Sequence, residues 1–502
     1  MKADLRHRTV DNRLKDEARE ALLRMRTLAE QAFSRTAGAP LVAGNSIRLL
    51  KDGRENYPAW LEAIQAAQQT IYFESYIMHD DDVGHQFADA LIAKAREGVH
   101  VRLLYDWLGG LGKASRRFWR RLSAQGVEVR CFNPPRVDSP LGWLSRDHRK
   151  SICVDHRIAF VSGLCVGRMW VGEPEHDIAP WRDTGIEVRG PAVGDIERAF
   201  AQTWAEVGPA LPADEPADRD TIPAAGDVML RVVASVPNLA GLYRLDQLIA
   251  AVARKTLWLT DAYFVGTTNY VQALRAAALD GVDVRLLVPG SSDIPMLIAL
   301  SRAGYRPLLE AGVRVFEWNG PMLHAKTSVV DGRWARVGSS NLNVASWVGN
   351  WELDIAVEND MFARAMQDMY LDDLTHATEM VLSAKQRIYP SGGPRPQRPA
   401  GDRQRSSSAG RVAAGAISVS NTIGAAITNR RVLGPAEAKI MGLASLVLLA
   451  LAGVAILWPR LLVVPFTLFA VWMALALLLK AYQLHRAARR PSDHPDEGEP
   501  LS

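Results

Sequence analysis

The 502-residue chain has little cysteine and no side-chain spacing that would identify a metal site. Its three cysteines, Cys131, Cys153 and Cys165, are too few and too unevenly numbered for a disulfide framework. Sparse, unpaired cysteine is typical of proteins kept in a reducing compartment. Neither a Cys-x-x-Cys nor a His-Glu-x-x-His spacing occurs. The sequence therefore predicts no metal ion and gives no indication of a cofactor.

Charge of one sign is also not in excess. The chain has 59 Lys and Arg against 55 Asp and Glu, a net charge of +4. So small a net charge, with no concentrated basic stripe outside one linker, does not indicate a nucleic-acid partner. The segment from Met1 to Arg26 is too charged to contain the apolar core of a signal peptide. We therefore expect that no signal peptide directs the chain across a membrane.

Two stretches of the chain share one spacing of histidine, lysine and aspartate. The second reads His324-x-Lys326-x4-Asp331 and leads to the small polar turn Gly338-Ser339-Ser340-Asn341. The first reads His148-x-Lys150-x4-Asp155. A single histidine is most often a satisfied core residue, but a repeated constellation of an imidazole, an ammonium and a carboxylate indicates a site.

The segments around the two motifs are repeated as well. Three pairs of matching segments begin at Thr70 and Thr256, at Gly98 and Gly281, and at Gly126 and Gly312. In each set, short apolar strands alternate with amphipathic helices. This order predicts an α/β fold of two duplicated α/β/α halves with mostly parallel sheets.

Changes in composition divide the chain further. The predicted parts are an N-terminal amphipathic helix (1–40), the first half (41–207), a linker (208–227), the second half (228–386), a flexible basic linker (387–439), two membrane helices (440–479) and a polar tail (480–502). The N-terminal helix packs on the body of the protein or contacts a membrane or partner. Residues 134–147 are extra relative to the second half, and form either a packed loop or a contact with acyl chains.

The two C-terminal apolar segments, Ile440 to Trp458 and Leu461 to Leu479, each contain 19 residues without a charge. As a helix, each is roughly 28 Å long, which is enough to cross a bilayer core. Only Pro459 and Arg460 separate them, so the sequence predicts a transmembrane hairpin. Lysines and arginines flank both ends, which predicts that the flanks and the two halves lie in the cytoplasm.

With its two motifs the sequence resembles the phospholipase D superfamily, and its flanking phrases are most similar to those of bacterial cardiolipin synthases. The phrases are Leu49-Leu-Lys-Asp-Gly53, Arg102-Leu-Leu-Tyr-Asp106, Trp181-Arg-Asp-Thr184 and Gly190-Pro-Ala-Val193. The resemblance extends from about Leu41 to Lys385. It implies two similar halves packed face to face, with one shared active site at their interface.

The motif residues suit that chemistry independently. Displacement at a phosphodiester needs a nucleophile, an acid for the leaving alcohol and cations near the phosphate oxygens. Two imidazoles can supply the first two roles near neutral pH. Lys150 and Lys326 can hold the oxygens on which charge develops, and Ser339 and Asn341 add hydrogen-bond donors.

The resemblance further implies that His148 is the nucleophile that forms a phosphohistidine, and that His324 is the general acid and then the base. The near symmetry of the halves leaves the order of these roles open. We expect Asp155 and Asp331 to hold the motif loops together. Glu352 and Asp183 are candidates for orienting the imidazoles, as in a catalytic triad.

The first half departs from the repeat at one place. The segment equivalent to Gly338–Asn341 reads Ser162-Gly163-Leu164-Cys165, so a cysteine replaces the asparagine. Because a thiol is a weak hydrogen-bond donor, we expect any phosphate contact here to come from backbone amides at Ser162 and Gly163.

The leading functional hypothesis is phosphatidyl transfer at the bacterial inner membrane. Two phosphatidylglycerol molecules would give cardiolipin and glycerol. The alternatives are a phospholipase D that uses water or another alcohol, a nuclease, and a membrane scaffold that has lost catalysis. Phospholipids are the expected partners.

Overall fold

The computed structural model describes residues 28, 30–135, 145–173, 175, 178–213, 215–382, 388–391, 446, 449, 453, 457 and 459–488. The chain divides into two compact units. The first unit comprises residues 1–132 and 146–434, and the second comprises residues 133–145 and 435–502. Both motif-bearing halves belong to the first unit.

The strands of the first unit form one 16-stranded sheet. They are β1 (Val42–Lys51), β2 (Thr70–Ser75), β3 (His100–Asp106), β4 (Glu128–Phe132), β5 (Lys150–Val154), β6 (Ile158–Ser162), β7 (Thr184–Arg189), β8 (Val228–Ser235), β9 (Thr256–Thr260), β10 (Asp283–Pro289), β11 (Arg314–Trp318), β12 (Thr327–Val330), β13 (Trp334–Gly338), β14 (Glu352–Glu358), β15 (Ala377–Leu382) and β16 (Ile388–Pro390).

The helices lie between these strands and in the second unit. They are α1 (Asp52–Ala66), α2 (Asp82–Arg96), α3 (Trp107–Gly110), α4 (Arg116–Ala124), α5 (Ala192–Glu206), α6 (Gly241–Val252), α7 (Thr268–Leu279), α8 (Pro295–Glu310), α9 (Asp360–Thr375) and α10 (Pro459–Ala488). Residues 30–37 are also helical.

The duplicated α/β architecture is confirmed, but the prediction of mostly parallel sheets is wrong. The strand order is β16-β15-β11-β10-β9-β12-β13-β14-β8-β1-β7-β6-β5-β2-β3-β4. Only β2, β3 and β4, and likewise β9, β10 and β11, pair in parallel. All other neighbours are antiparallel.

The antiparallel pairing follows from the turn after each motif strand. Asp155 and His156 between β5 and β6 have φ values of 52° and 58°, and Asp331 and Gly332 between β12 and β13 have 52° and 64°. Two consecutive residues with positive φ form the tight hairpin turn that joins only antiparallel strands. An apolar strand read without its turn gives no indication of this direction.

The two halves meet at β1 and β8 in the middle of the sheet. Val42 pairs with Leu230 and Asn45 with Val228, with an irregularity between them. The buried Asn45 side chain donates to the carbonyls of Val42 and Val228 and accepts from the Ala192 amide. A single apolar cluster also includes residues of β6 and β7 from the first half and of β13 and β14 from the second. The halves are thus joined by a strand ladder and by a shared core.

The predicted terminal segments fall largely outside the described residues. Of the predicted N-terminal helix (1–40), residues 28 and 30–40 are described, and residues 28 and 30–37 are helical. Residues 136–144 of the extra segment lie outside them, as does most of residues 440–458. The second apolar segment is helical within α10. Because α10 already begins at Pro459, Pro459 and Arg460 are helical residues and not the break expected between two helices. Among the described residues, no helix combines the length and the apolar character needed to cross a membrane.

Candidate active site

The two motifs lie at the edge of the sheet where the parallel strands end. Lys150 begins β5 and pairs with Ser75, the last residue of β2. Asp106 ends the adjacent strand β3, and its carboxylate accepts hydrogen bonds from the Asp147 amide (3.0 Å) and the Arg146 guanidinium (3.2 Å). Because parallel strands end at one edge, β3 can anchor the loop that presents the first motif.

Each motif loop is held by backbone hydrogen bonds to the opposite half. The His148 amide donates to the Trp351 carbonyl (2.9 Å), and the Trp351 amide donates to the Arg146 carbonyl (2.8 Å). In the same way, the His324 amide donates to the Arg182 carbonyl (2.7 Å). The residues that accept from the histidines, Trp351 and Arg182, immediately precede Glu352 and Asp183. These bonds therefore place a carboxylate of one half next to the histidine of the other.

The imidazoles and carboxylates are paired across the halves. His148 Nδ1 lies 2.9 Å from Glu352 Oε2, and His324 Nδ1 lies 2.8 Å from Asp183 Oδ2. Both carboxylates are fully buried. A carboxylate at Nδ1 favours the Nδ1–H tautomer, which leaves the Nε2 lone pair available for chemistry.

Burial and neighbouring charge set the protonation of these pairs. Burial lowers the pKa of His148 and lowers the pKa of His324 to about 3. Burial alone would raise the pKa of Glu352 and of Asp183, but the adjacent histidine holds each carboxyl pKa below its ordinary value. Each pair is therefore a neutral imidazole beside a carboxylate near pH 7. The two motif lysines add to the lowering of both histidine pKa values, so the two motifs form one electrostatic cluster.

The motif lysines lie over the backbone of their own histidines. Lys150 Nζ donates to the His148 carbonyl (2.5 Å), and Lys326 Nζ donates to the His324 carbonyl. Burial lowers the pKa of Lys326 to about 8 and raises that of the nearby Asp261 to about 7. Lys326 is thus a buried cation, and the nearby Asp261 carboxyl group offsets part of the cost of burying its charge.

Lys326 Nζ also lies 3.0 Å from His324 Nδ1, the nitrogen that contacts Asp183. An ammonium donates and a carboxylate accepts, so one imidazole nitrogen cannot satisfy both. Asp183 is the stronger partner of Nδ1, because it is a charged acceptor at 2.8 Å whose carboxyl pKa is held below its ordinary value. We therefore take Nδ1 of His324 as protonated and directed to Asp183.

Aromatic rings line both histidines, and the sequence did not single them out. The ring centroids of Tyr76 and His148 are 5.0 Å apart, and those of Tyr263 and His324 are 5.8 Å apart. Trp170 and Trp181 lie 5.8 and 5.7 Å from His324. Tyr76 and Tyr263 follow equivalent strands of the repeat, and this position is the sequence signal that could have identified them.

The two motif aspartates bind backbone amides rather than the reacting groups. Asp155 accepts from the amides of Gln68, Gln69 and Thr70 at 2.8–2.9 Å. Asp331 accepts from the equivalent amides of residues 254, 255 and 256 at 2.7–3.0 Å. Each carboxylate therefore fastens the hairpin turn after its motif to the start of the neighbouring strand.

The polar turns after the motifs differ between the halves. Ser339 donates through Oγ to Glu352 (2.5 Å), so it holds the carboxylate that contacts His148. At the equivalent position, Gly163 lies so close to Asp183 that a Cβ would come within 2.2 Å of its carboxylate oxygen. Ser162 Oγ accepts from the Leu164 amide at 3.2 Å, a local contact. Ser339 thus supports a carboxylate, whereas Gly163 leaves room for one. The Gly163 amide donates to the Thr184 carbonyl (3.1 Å), so the expectation that it contacts phosphate is wrong.

The Asn341 and Cys165 side chains are equivalent in the repeat, and both are buried. Asn341 Oδ1 has no hydrogen-bond partner among the described residues. Burial raises the pKa of the Cys165 thiol, while Lys150 and Lys326 act to lower it, so the thiol lies near both motif lysines. An amide and a thiol therefore occupy equivalent positions of the repeat, and the thiol lies near the two cations.

Over the part of the chain that the structure describes, no group of three or more His, Cys, Asp or Glu side chains is arranged to hold a metal ion. The site instead combines two imidazole–carboxylate pairs, two ammonium groups and aromatic walls. Neutral imidazoles can act as nucleophile and proton carrier, and ammonium groups can hold an anion between them. This arrangement can catalyse displacement at a phosphate ester.

Comparison with known proteins agrees with this arrangement. Residues 60–169 and 246–373 match the profile of the family described as "Cardiolipin synthase, PLD-like domain". A cardiolipin synthase of Alkalihalophilus pseudofirmus is 33% identical over 348 residues, which cover 68% of this chain and 69% of that protein. Cardiolipin synthase A of Pseudomonas aeruginosa is 34% identical over 356 residues, or 70% and 71% of the two chains.

A similar solved structure is that of phosphatidylserine synthase from Haemophilus influenzae. It superposes with a TM-score of 0.56 over 71% of this chain and 93% of that chain, at 14% sequence identity. At this identity the likeness concerns the fold alone.

Proposed function

The chain belongs to the cardiolipin synthase family of phospholipase D-like proteins, and on this premise we propose that it transfers a phosphatidyl group from one phosphatidylglycerol to another. The products are cardiolipin and glycerol. One phosphodiester replaces another, so the reaction needs no nucleotide. The proposal rests above all on the two crossed imidazole–carboxylate pairs, His148 with Glu352 and His324 with Asp183.

In the first step His148 Nε2 attacks the phosphorus of phosphatidylglycerol. A phosphorus–nitrogen bond forms, the phosphorus–oxygen bond to glycerol breaks, and His324 gives its proton to the departing oxygen. The free His324 is neutral, so it must gain that proton as substrate binds. The anionic phosphate favours this, because a negative charge nearby raises a histidine pKa.

In the second step the hydroxyl of another phosphatidylglycerol gives its proton to His324, and its oxygen attacks the phosphorus. The phosphorus–nitrogen bond breaks and its electrons return to His148. Lys150 and Lys326 stabilise the oxygens of phosphorus in both steps. Ser339 supports the Glu352 carboxylate and Gly163 leaves room for that of Asp183, while Asn341 and the backbone at Ser162 are the proposed phosphate contacts.

The proposed setting of the reaction is the bacterial inner membrane, where both lipids reside. The relatives that support the function are bacterial cardiolipin synthases, which implies a membrane-associated enzyme. We propose further that residues 440–458 and 461–479 form a hairpin in the bilayer and that the catalytic halves face the cytoplasm. The uncharged runs and the flanking lysines and arginines support this topology.

Purified enzyme incubated with vesicles that contain labelled phosphatidylglycerol tests the function. We expect cardiolipin and glycerol in equal amounts. A metal chelator should not change the rate at which they form. Phosphatidic acid as the main product would instead indicate hydrolysis by a phospholipase D. Cleavage of DNA with no lipid product would favour the nuclease alternative, and the absence of any turnover would favour a scaffold.

The variants His148→Asn and His324→Asn should each abolish turnover, since one removes the nucleophile and the other the proton carrier. His156→Asn is the matched control. His156 also contacts a buried carboxylate, Glu197 at 2.7 Å, but it lies in the turn after β5. Turnover by His148→Asn at the wild-type rate would contradict the proposal.

A further inference from the structure

Arg149 stands between the histidine and lysine of the first motif and is completely buried. Its guanidinium reaches from the first half into the second. Nε donates to the Glu352 carbonyl (3.1 Å) and Nη2 donates to the Ser235 carbonyl (3.1 Å). Nη1 donates within the first half, to the Ala199 carbonyl (2.6 Å) and to Thr203 Oγ1 (2.8 Å).

The two carbonyls bound across the halves belong to one pair of the sheet. Glu352 begins β14 and pairs with Ser235, the last residue of β8. Arg149 therefore holds the end of the β8–β14 ladder at the residue whose carboxylate contacts His148. The backbone of His148 binds the preceding residue, Trp351, at 2.9 Å. His148 and Arg149 of the first half thus form hydrogen bonds to the adjacent residues Trp351 and Glu352 of the second half.

We propose that Arg149 is a positioning residue, which sets the place of the Glu352 carboxylate relative to the His148 imidazole through the start of β14. It contacts neither a reacting atom nor the Glu352 carboxylate itself. A guanidinium suits this role, because its planar donors point in fixed directions and can bind several carbonyls at once. Only the predicted effect of Arg149 on turnover rests on the proposed function; its effect on the geometry of Glu352 and His148 does not.

The second motif has no such group. Its equivalent residue is Ala325, which is buried and has no side-chain donor. There the start of β7 is held by Arg182, whose guanidinium donates to Thr184 Oγ1 (3.1 Å) and to Asp373 of the second half (2.8 Å). Each orienting carboxylate therefore has a buried arginine at the start of its strand. For Glu352 that arginine belongs to the motif of the very histidine that Glu352 orients.

The cost of burial argues that this arginine does more than fill space. A buried cation is expensive unless its donors are satisfied, and an apolar side chain of similar volume is often as stable or more so. Burial lowers the Arg149 pKa, which shows that the charge is held there at a cost.

The test compares Arg149→Met with Arg231→Met. Arg231 is also buried, lies on β8 with Ser235, and pairs with Glu358 away from the histidines. We expect kcat of Arg149→Met to fall about 10- to 100-fold with KM changed less than about 3-fold, because positioning affects the chemical step. Arg231→Met should keep kcat within about 3-fold when both proteins are assayed at equal folded fraction.

A second measurement does not depend on the lipid reaction. Histidine labelled with nitrogen-15 reports the tautomer of His148 by nuclear magnetic resonance, with His148→Asn identifying its signal. The wild type should show protonated Nδ1, and Arg149→Met should show a mixture of tautomers. Arg149→Lys should recover part of the wild-type signal, and added guanidine should recover part of it in Arg149→Ala.

An unchanged tautomer in Arg149→Met would overturn the positioning role, whatever its activity. A loss of kcat equal to that of Arg231→Met would do the same, since it would indicate a general effect of removing a buried arginine. If the protein proves not to transfer phosphatidyl groups, the tautomer measurement still decides the role of Arg149, and the two failures are distinguishable.

Discussion

The imidazole of His148 in the first half is bound through Nδ1 by the carboxylate of Glu352 in the second half, at 2.9 Å. Between these residues lie 203 others, and the reciprocal pair joins His324 to Asp183. Neither half therefore supplies both members of an imidazole–carboxylate pair of the candidate site. The duplication has produced one site that requires both halves.

Removing the charge of a crossed carboxylate should strongly reduce turnover. We expect Glu352→Gln to lower kcat by on the order of 10²–10⁴-fold, because an amide can impose the wrong tautomer on His148 and cannot stabilise its cationic form. Asp183→Asn should act similarly on His324. Steady-state assays measure this, with Glu358→Gln on the same strand as control. A variant within about 3-fold of the wild type would show that the carboxylate is dispensable.

The alkaline limb of the pH profile should depend on Lys326. Its pKa is lowered to about 8, so its positive charge is present below that pH and is lost as the pH rises through it. We expect kcat/KM to fall about tenfold per pH unit above the pKa, since the phosphate loses a cation. Lys326→Arg keeps its charge at high pH and should shift the limb upward. If Lys326→Arg shows the same alkaline limb as the wild type, a group other than Lys326 causes the fall in kcat/KM.

Asp155 and Asp331 should contribute more to stability than to chemistry. Asp155→Asn weakens the hydrogen bonds to three amides while keeping a residue that tolerates positive φ. We expect a loss of about 1–3 kcal/mol in the free energy of unfolding, seen as a lower melting temperature. At temperatures where it is folded, kcat should stay within about 5-fold. Asp89→Asn, at an exposed ion pair with Arg121, should cost less than about 0.5 kcal/mol.

If the Asn341 side chain helps to bind phosphate, Cys165→Asn should maintain or raise activity. The two positions are equivalent, both are buried, and Cys165 lies near both motif lysines. A hydrogen bond to a charged group contributes roughly 1.5–3 kcal/mol, so an asparagine that reaches the phosphate should raise activity about tenfold or more. Cys165→Ser controls for loss of the thiol alone. A large loss in the asparagine variant would show that the thiol or its smaller volume is needed.

The topology proposal can be tested with a reporter that is active only outside the cytoplasm, fused after Ser502. It should stay silent in intact cells, because two successive membrane spans, the proposed segments 440–458 and 461–479, return the chain to its starting side. Immunoblotting for the reporter controls for expression of the fusion. Activity of the full-length fusion would contradict the cytoplasmic orientation of the tail.

Several features of the site were predictable because residues close together in the sequence encode them. The His-x-Lys-x4-Asp spacing, its repetition and the matching strands around it identified the motifs His148–Asp155 and His324–Asp331 without any contact being known. Glu352 and Asp183 were recognisable as carboxylates that could orient an imidazole. The direction of β5 and β12 was not, because an apolar run reads alike in parallel and antiparallel sheets.

The sequence by itself determined which groups are present: two imidazoles, two ammonium groups, their carboxylates and the duplication that supplies them twice. Only the tertiary structure decided which carboxylate serves which histidine, that Tyr76 and Tyr263 line them, and that Arg149 reaches Glu352. Spacing along a chain records neighbours within a few residues. The crossed pairs join positions more than 140 residues apart, and their geometry arises from strand pairing and from the packing of one half on the other.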